Sequence, residues 1–310
     1  MKIVFFGSSE FAAPSLERLL NSYHEVIAVV TQPDRAKGRN LKIAQTPVKK
    51  AASANKNIEI YQPEDVKDKP FLETLKALNA DLFVVVAFGQ ILSREVLDIP
   101  GTYSINLHPS LLPKYRGAAP INWAILKGET RTGLSIIRMN EMMDAGDILL
   151  QRKVIIDRED TADTLGSKLS KLGSILLLDA VRFIKEDRIW FKRQDKTKAT
   201  FAPKLKKEDG KIKWEEDASV LHNAVRGLVP WPCAYALHDN KILKIWRSDV
   251  LPSHQKTQPG LVVDVRNEAV MVACGKGLFL IKEVQLEGGK RMDIASFLRG
   301  HPIETGTVLG

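Results

Sequence analysis

Short apolar, β-branched runs alternate with helical periodicities through the first third of the chain, and that alternation limits the possible folds more than any other feature. Residues 2–6, 25–31, 58–61, 81–87 and 103–107 each read as strands. Between them lie stretches with apolar residues at helical spacing, such as Leu16, Leu19 and Leu20, then Phe71, Leu72, Leu75 and Leu78, with Pro14 and Pro47 as first-turn residues. Strands without a polar face, separated by helix-length segments, belong to a parallel sheet covered on both sides. The expected class is α/β, with a doubly wound, Rossmann-like, mostly parallel sheet. The turn after the first strand, Gly7-Ser-Ser-Glu-Phe-Ala12, lacks the G-x-G-x-x-G spacing, so a nicotinamide cofactor is not expected.

In such a sheet, ligands bind beyond the carboxyl ends of the strands. Side chains two apart on a strand point the same way, so Asn106 and His108 project together from the end of the strand at 103–107. Pro109 and Pro113 then end the strand and stiffen the loop. A histidine at a strand end is by itself more often a hydrogen-bonded structural residue than a catalyst. Downstream, Pro120 and Gly128 bracket a short helix, and 132–139 and 148–156 read as two further strands. The loop between those strands carries Asp144, Gly146 and Asp147, of which Asp147 reads as a solvated turn former. Leu165, Leu169, Leu172 and Leu176 mark a long amphipathic helix closing a first domain, residues 1–189.

From Trp190 the composition becomes basic, and residues 190–207 read as a basic linker. Beyond it, residues 235–237, 243–246, 261–265, 270–273 and 278–284 form short β-like runs separated by turn signals. They suit a small β-barrel (OB-like) domain over 208–310. The net charge of +9 points to a polyanionic partner. With only two cysteines, Cys233 and Cys274, a disulfide framework or zinc cluster is not expected. The first apolar run is too short for a signal peptide and no stretch reaches the length of a membrane span, so the expectation is a cytoplasmic protein without a membrane partner.

The string Asn106-Leu-His-Pro-Ser-Leu-Leu-Pro-Lys-Tyr-Arg-Gly117 resembles the signature of the tetrahydrofolate-dependent formyltransferases. The resemblance continues through Gly117-Ala-Ala-Pro-Ile-Asn-Trp123 and Met142-Met-Asp-Ala-Gly-Asp147. It reaches the C-terminal half at residues 223–227, Trp231-Pro232 and 285–292, with one departure, Cys233 where the family usually has Gly. Within the family the nearest likeness is to the branch whose acceptor is methionyl initiator tRNA.

The resemblance implies Asn106, His108 and Asp144 as the catalytic residues, with 10-formyltetrahydrofolate as donor and no metal. It implies folate contacts from Phe88, Gly89, Gln90, Ile91 and Leu92, largely through the main chain, and from Ser110, Leu111, Leu112 and Pro113. Ser110 lacks a nucleophile-elbow context and reads as structural rather than as a nucleophile. For tRNA, the resemblance and the charge together single out Lys37, Arg39 and Lys42 in an unusually long loop, and Lys204, Lys206 and Lys207. A monomer is expected.

Formyl transfer needs an oxyanion stabilised and a proton moved. Asn106 and His108 supply the donors, and Asp144 is expected to raise the His108 pKa from about 6.5 and so keep the imidazole charged. Three other readings stay open from the residues alone: transfer to an amino sugar-nucleotide or other small amine, hydrolysis of the formyl-folate, and a non-catalytic RNA-binding protein.

Overall fold

The structure is a computed structural model that describes residues 1–37, 42–55, 58–253 and 257–310. In chain order its first elements are β1 (Lys2–Gly7), α1 (Ala13–Leu20), β2 (Glu25–Val30), β3 (Arg35–Lys37), β4 (Lys42–Ala44), α2 (Pro47–Ser53) and β5 (Glu59–Tyr61). Next come α3 (Lys69–Ala77), β6 (Leu82–Val86), α4 (Arg94–Leu97), β7 (Tyr103–His108), β8 (Arg116–Gly117) and α5 (Pro120–Leu126). This half ends with β9 (Arg131–Arg138), β10 (Ile148–Ile155), α6 (Ala162–Lys185) and β11 (Phe201–Ala202).

Seven strands form one sheet in the order β10-β9-β7-β6-β1-β2-β5. Pairing is parallel across β5, β2, β1, β6 and β7, and β9 then lies antiparallel to β7. The chain builds outward from β1 to β2 and β5, then restarts on the other side with β6 and β7. The crevice between the carboxyl ends of β1 and β6 is therefore the topological switch point. Ser8, just past β1, ties that end together: its hydroxyl donates to the Phe88 carbonyl at 3.0 Å and accepts from the Gln32 N–H at 3.0 Å. Phe6, Phe83 and Phe88 pack ring against ring on one face of the sheet, and Leu72, Leu75 and Val96 cover them.

Two compact units divide the chain, and the border is not at residue 189. The first unit comprises 1–120, 132–155 and 166–202; the second comprises 121–131, 156–165 and 203–310. Residues 190–202, expected as linker, belong to the first unit because they are hydrogen-bonded into it. Lys192 and Ile148 exchange both main-chain bonds at 2.8 Å, and β11 pairs in parallel with β8. The Phe191 ring lies 5.2 Å from Tyr103, and the Arg138 guanidinium is 4.7 Å from the Phe191 ring. The basic side chains Lys192, Arg193, Lys196 and Lys198 are all exposed, which explains the linker-like composition of a docked strap. In the second unit, Asn122 donates to the Gly227 carbonyl at 2.8 Å and Arg226 donates to the Asp160 carbonyl at 2.9 Å, so 121–131 and 156–165 belong there.

The second unit contains α7 (Ala218–Leu228), β12 (Ala234–His238), β13 (Lys241–Leu251), β14 (Val262–Arg266), β15 (Ala269–Ala273), β16 (Leu278–Leu286), β17 (Met292–Asp293) and α8 (Ile294–Gly300). Among the described residues these strands pair antiparallel throughout, so a separate antiparallel β unit follows the α/β unit. Trp214, Leu221, Val225, Phe279 and Phe297 are in its core. The two helices escaped the sequence reading, although Ala218, Leu221, Val225 and Leu228 are buried at helical spacing. Among the described residues no helix is long and apolar enough to cross a membrane.

His24, between α1 and β2, is 5% exposed, and neither ring nitrogen has a hydrogen-bond partner among the described residues. Burial, the N-terminal ammonium and Lys185 push its pKa down to about 4. Between pH 6.5 and 4 the unfolded chain therefore binds a proton that the folded chain refuses, and this group's contribution to stability falls as pH drops through that window. In His24→Leu, the urea midpoint should fall less between pH 7 and pH 4.5 than it does in the parent. Equal falls would show that His24 does not couple folding to acid.

Candidate active site

β7 carries the two residues that define the site. Its alternation turns Ile105 and Leu107 to one face of the sheet, and Asn106 and His108 to the other. Asn106 lies between Val85 of β6 and Ile137 of β9, and His108 is paired with Ser135 of β9. Asn106 is thus paired on both sides, while His108, the last residue of β7, is paired on the β9 side.

His108 is only 4% exposed. Its Nε2 is 3.0 Å from the Tyr115 carbonyl oxygen, which can only accept, so Nε2 carries the ring proton. Its Nδ1 is 3.5 Å from Asp144 Oδ1. Asn106 Nδ2 donates to the same oxygen at 3.4 Å, and the Gly117 N–H donates to Asp144 Oδ2 at 2.8 Å. The structure therefore brings Asn106, His108 and Asp144 together, with both β7 side chains facing one carboxylate oxygen.

The His108 pKa is lowered, not raised. Burial is the largest cause and disfavours the charged ring, while the Asp144 carboxylate and the Tyr115 carbonyl act in the opposite direction. Asp144 acts in the expected direction, but burial outweighs it, so the net shift is opposite to the one that a resting imidazolium needs. Asp147 is likewise more than a solvated turn former, since Arg138 Nη2 pairs with its Oδ2 at 2.7 Å. Gly146 is fixed by close approach, because a Cβ there would collide with the Arg138 carbonyl.

Of the residues expected to contact folate, several have side chains committed elsewhere. Phe88 and Leu92 are buried in the sheet's apolar core. Gln90 accepts from the Val66 N–H at 2.9 Å and donates to the Pro63 and Glu64 carbonyls at 3.3 and 3.2 Å. Ser110 donates to the Lys114 carbonyl at 2.6 Å, and Leu112 packs with Ile137 and Ile148. Pro113 accepts from the Thr200 N–H at 3.3 Å. Gly89 has φ 92°, and a Cβ on it would stand 3.9 Å from the nearest described neighbour, Gln32, so its backbone is open. Ile91 is exposed and Leu111 half-buried. Main-chain groups and these last three residues are what 88–92 and 110–113 can offer a flat ligand.

Lys204, Lys206 and Lys207 are exposed in the second unit. Lys37 and Lys42 are register partners in the hairpin of β3 and β4, and Arg39 lies outside the described residues. Among the described residues, no group of three or more His, Cys, Asp or Glu could hold a metal ion.

Sequence reasoning missed the frame behind the triad. Gln194, in the strap, donates from Nε2 to the Asp144 and Gly146 carbonyls at 2.8 and 2.7 Å. Its Oε1 accepts from Arg116 Nε and Nη2 at 3.1 and 2.7 Å. Thr200 Oγ1 accepts from the Tyr115 N–H at 2.9 Å, and the Thr200 carbonyl accepts from the Arg116 N–H at 2.9 Å. The uncharged Gln194 amid Lys192, Arg193 and Lys196 was the one local sign of an inward-facing side chain.

Comparison with known proteins adds a finding independent of this geometry. Residues 1–181 match the Formyl transferase family and residues 204–302 match the Formyl transferase, C-terminal domain. The chain is 45% identical to a methionyl-tRNA formyltransferase of Caldanaerobacter subterraneus subsp. tengcongensis over 100% of both chains. It is 47% identical to that of Syntrophus aciditrophicus, over 100% of this chain and 99% of the relative. A solved sugar 3N-formyl transferase, WlaRD, shares the fold at TM-score 0.68 and 22% identity, over 91% of this chain and 97% of that one.

Removing the anion beside Nδ1 removes one of the influences that hold the His108 pKa up. In Asp144→Asn, NMR titration should show the ring protonating at lower pH than in the parent. An unchanged or higher midpoint would mean that the two do not interact electrostatically.

Proposed function

The chain belongs to the formyl transferase family, and from that premise we propose that it moves the formyl group of 10-formyltetrahydrofolate to the α-amino group of methionyl initiator tRNA, using Asn106, His108 and Asp144. The observation that carries the chemical part is the convergence of Asn106 Nδ2 and His108 Nδ1 on Asp144 Oδ1. The acceptor rests on the full-length likeness to methionyl-tRNA formyltransferases, which extends through the second unit.

The resting state has a neutral imidazole with Nδ1 able to accept. As the amine nitrogen bonds to the formyl carbon it acquires positive charge and gives up one proton, which His108 takes at Nδ1. The Asp144 carboxylate stabilises the imidazolium so formed. Asn106 Nδ2–H and the now-charged ring stabilise the negative charge on the formyl oxygen, a charged donor being the stronger. His108 then returns the proton to the departing folate nitrogen as the carbon–nitrogen bond breaks and the carbonyl reforms. No proton is gained or lost over the cycle, and no covalent enzyme intermediate is needed. The donor fits the open backbone at Gly89 and the exposed Ile91, beside the sheet's switch point.

Transfer to an amino sugar is the second reading, favoured by the shared fold of the sugar formyltransferase. Mass spectrometry of methionyl initiator tRNA after incubation with donor and protein separates them, with an amino sugar-nucleotide and water alone as competing acceptors. Formylated tRNA as the dominant product supports the proposal, and formylated sugar or free formate in its place overturns it. In the same assay His108→Ala should lower kcat by roughly two to four orders of magnitude without unfolding the protein. Near-parental turnover would remove His108 from the chemistry.

The exposed Lys204, Lys206 and Lys207 have the charge to meet phosphates. Replacing all three with Ala should weaken tRNA binding and flatten the plot of log affinity against log salt, by roughly 0.7–0.9 for each phosphate that is no longer neutralised. Donor affinity should not change. An identical slope would place polyanion binding elsewhere.

A further inference from the structure

Three consecutive residues of the loop after β7 each hold a different part of the site. The Tyr115 carbonyl accepts from His108, the Arg116 side chain holds Gln194, and the Gly117 N–H holds the Asp144 carboxylate. Gln194 closes the circuit, since its amide grips the carbonyls on either side of the Asp144 turn. We propose that Gln194 is a positioning residue that locks the Asp144 turn to Arg116, and so fixes the catalytic carboxylate against His108.

Asp144 has φ 51°, in the left-handed region, which Asp tolerates better than most non-glycine residues and which places it in a tight turn. The Gly117 N–H restrains one carboxylate oxygen, and the Ala145 N–H donates to the Met142 carbonyl at 3.2 Å within the turn. The Gln194 amide ties two further carbonyls of the turn to the strap and to Arg116. The orientation of the amide is unambiguous: Arg116 is a pure donor and the two carbonyls are pure acceptors, so a flipped Gln194 would lose all four bonds. Gln194 is 7% exposed and Arg116 is buried as well, so water does not compete for these groups. Both N–H groups and both lone pairs of the amide are used, and a fully satisfied buried polar group of this kind is rigid. Gly146 completes the fit, because the turn passes too close to the Arg138 carbonyl for any side chain.

The consequence is geometric control of the proton-accepting nitrogen. Nδ1 of His108 and Oδ1 of Asp144 are 3.5 Å apart in the free protein. A shift of the turn by about 1 Å can cost on the order of 100-fold in rate when a reacting group is misplaced. Gln194 touches neither donor nor acceptor in this scheme; it acts through Asp144.

The test is a double-mutant cycle between Gln194→Met and Asp144→Asn, read as kcat for tRNA formylation and as the His108 NMR titration. Methionine keeps the length and removes all four bonds. Gln194→Met alone should lower kcat roughly 10- to 100-fold, leave donor KM within about threefold, and move the His108 midpoint to lower pH. In the Asp144→Asn background it should cost less than about threefold, because the group it positions is already gone. Equal costs in both backgrounds, or a parental kcat with a lowered Tm alone, would overturn the proposal and leave Gln194 a structural residue. Should the methionine variant not fold, the same cycle is run with Gln194→Glu. That variant keeps a partner for Arg116 while presenting only acceptors to the two carbonyls. The rate readout rests on the formyl-transfer reading but the titration does not. A parent that fails to formylate tRNA therefore sinks that reading alone, and an unmoved His108 midpoint in Gln194→Met sinks this one.

Discussion

Everything at the site depends on one carboxylate held in place from two sides. Asp144 Oδ2 takes the Gly117 N–H, and Oδ1 is left facing Asn106 and His108. A carboxylate with both oxygens exposed to solvent would be an indifferent neighbour to a histidine. Here one oxygen is anchored by a backbone donor, so the other is aimed. The sheet provides the opposing partners, because β7 presents Asn106 and His108 on one face, with β6 paired along 103–106 and β9 along 105–108.

Burial and charge act against each other on His108, and in the proposed reaction their balance would set the direction of proton flow. Removing the ring from water lowers its pKa more than Asp144 and the Tyr115 carbonyl raise it. A ring that starts neutral can accept a proton from an attacking amine; one already charged cannot. The carboxylate is then most useful after the proton arrives, when an imidazolium in a dry site needs a counter-charge. In the proposed reaction, oxyanion stabilisation and proton transfer would become one event at Nδ1.

The α/β architecture and the grouping of Asn106, His108 and Asp144 were both legible in the sequence, for different reasons. Strand periodicity placed Asn106 and His108 on one face, a purely local inference that the observed β7 reproduces. Asp144 came from the family resemblance, since nothing local distinguishes it from Asp147 in the same loop. The sign of the His108 shift was missed because a sequence shows the neighbouring charge but not the depth of burial. Gln194 was missed because its partners, Arg116, Asp144 and Gly146, lie 48 to 78 positions away along the chain. The exposed lysines around it dominated the reading of residues 190–207, and composition averages over the two sides of an extended segment. α7 was passed over in favour of the strands around it, although its buried residues follow a helical period.

The basic charge and the buried site operate over different distances, and in the proposed reaction this would separate acceptor capture from formyl transfer. Exposed lysines act through water and are screened beyond a Debye length of about 8 Å at physiological salt. The triad acts across 2.8 to 3.5 Å within a site where His108 is almost wholly dry. Salt can therefore weaken polyanion binding while leaving the bond-making step untouched. In the proposed reaction, the anchored carboxylate and the buried ring would govern the bond-making step, and the exposed lysines would act only before it.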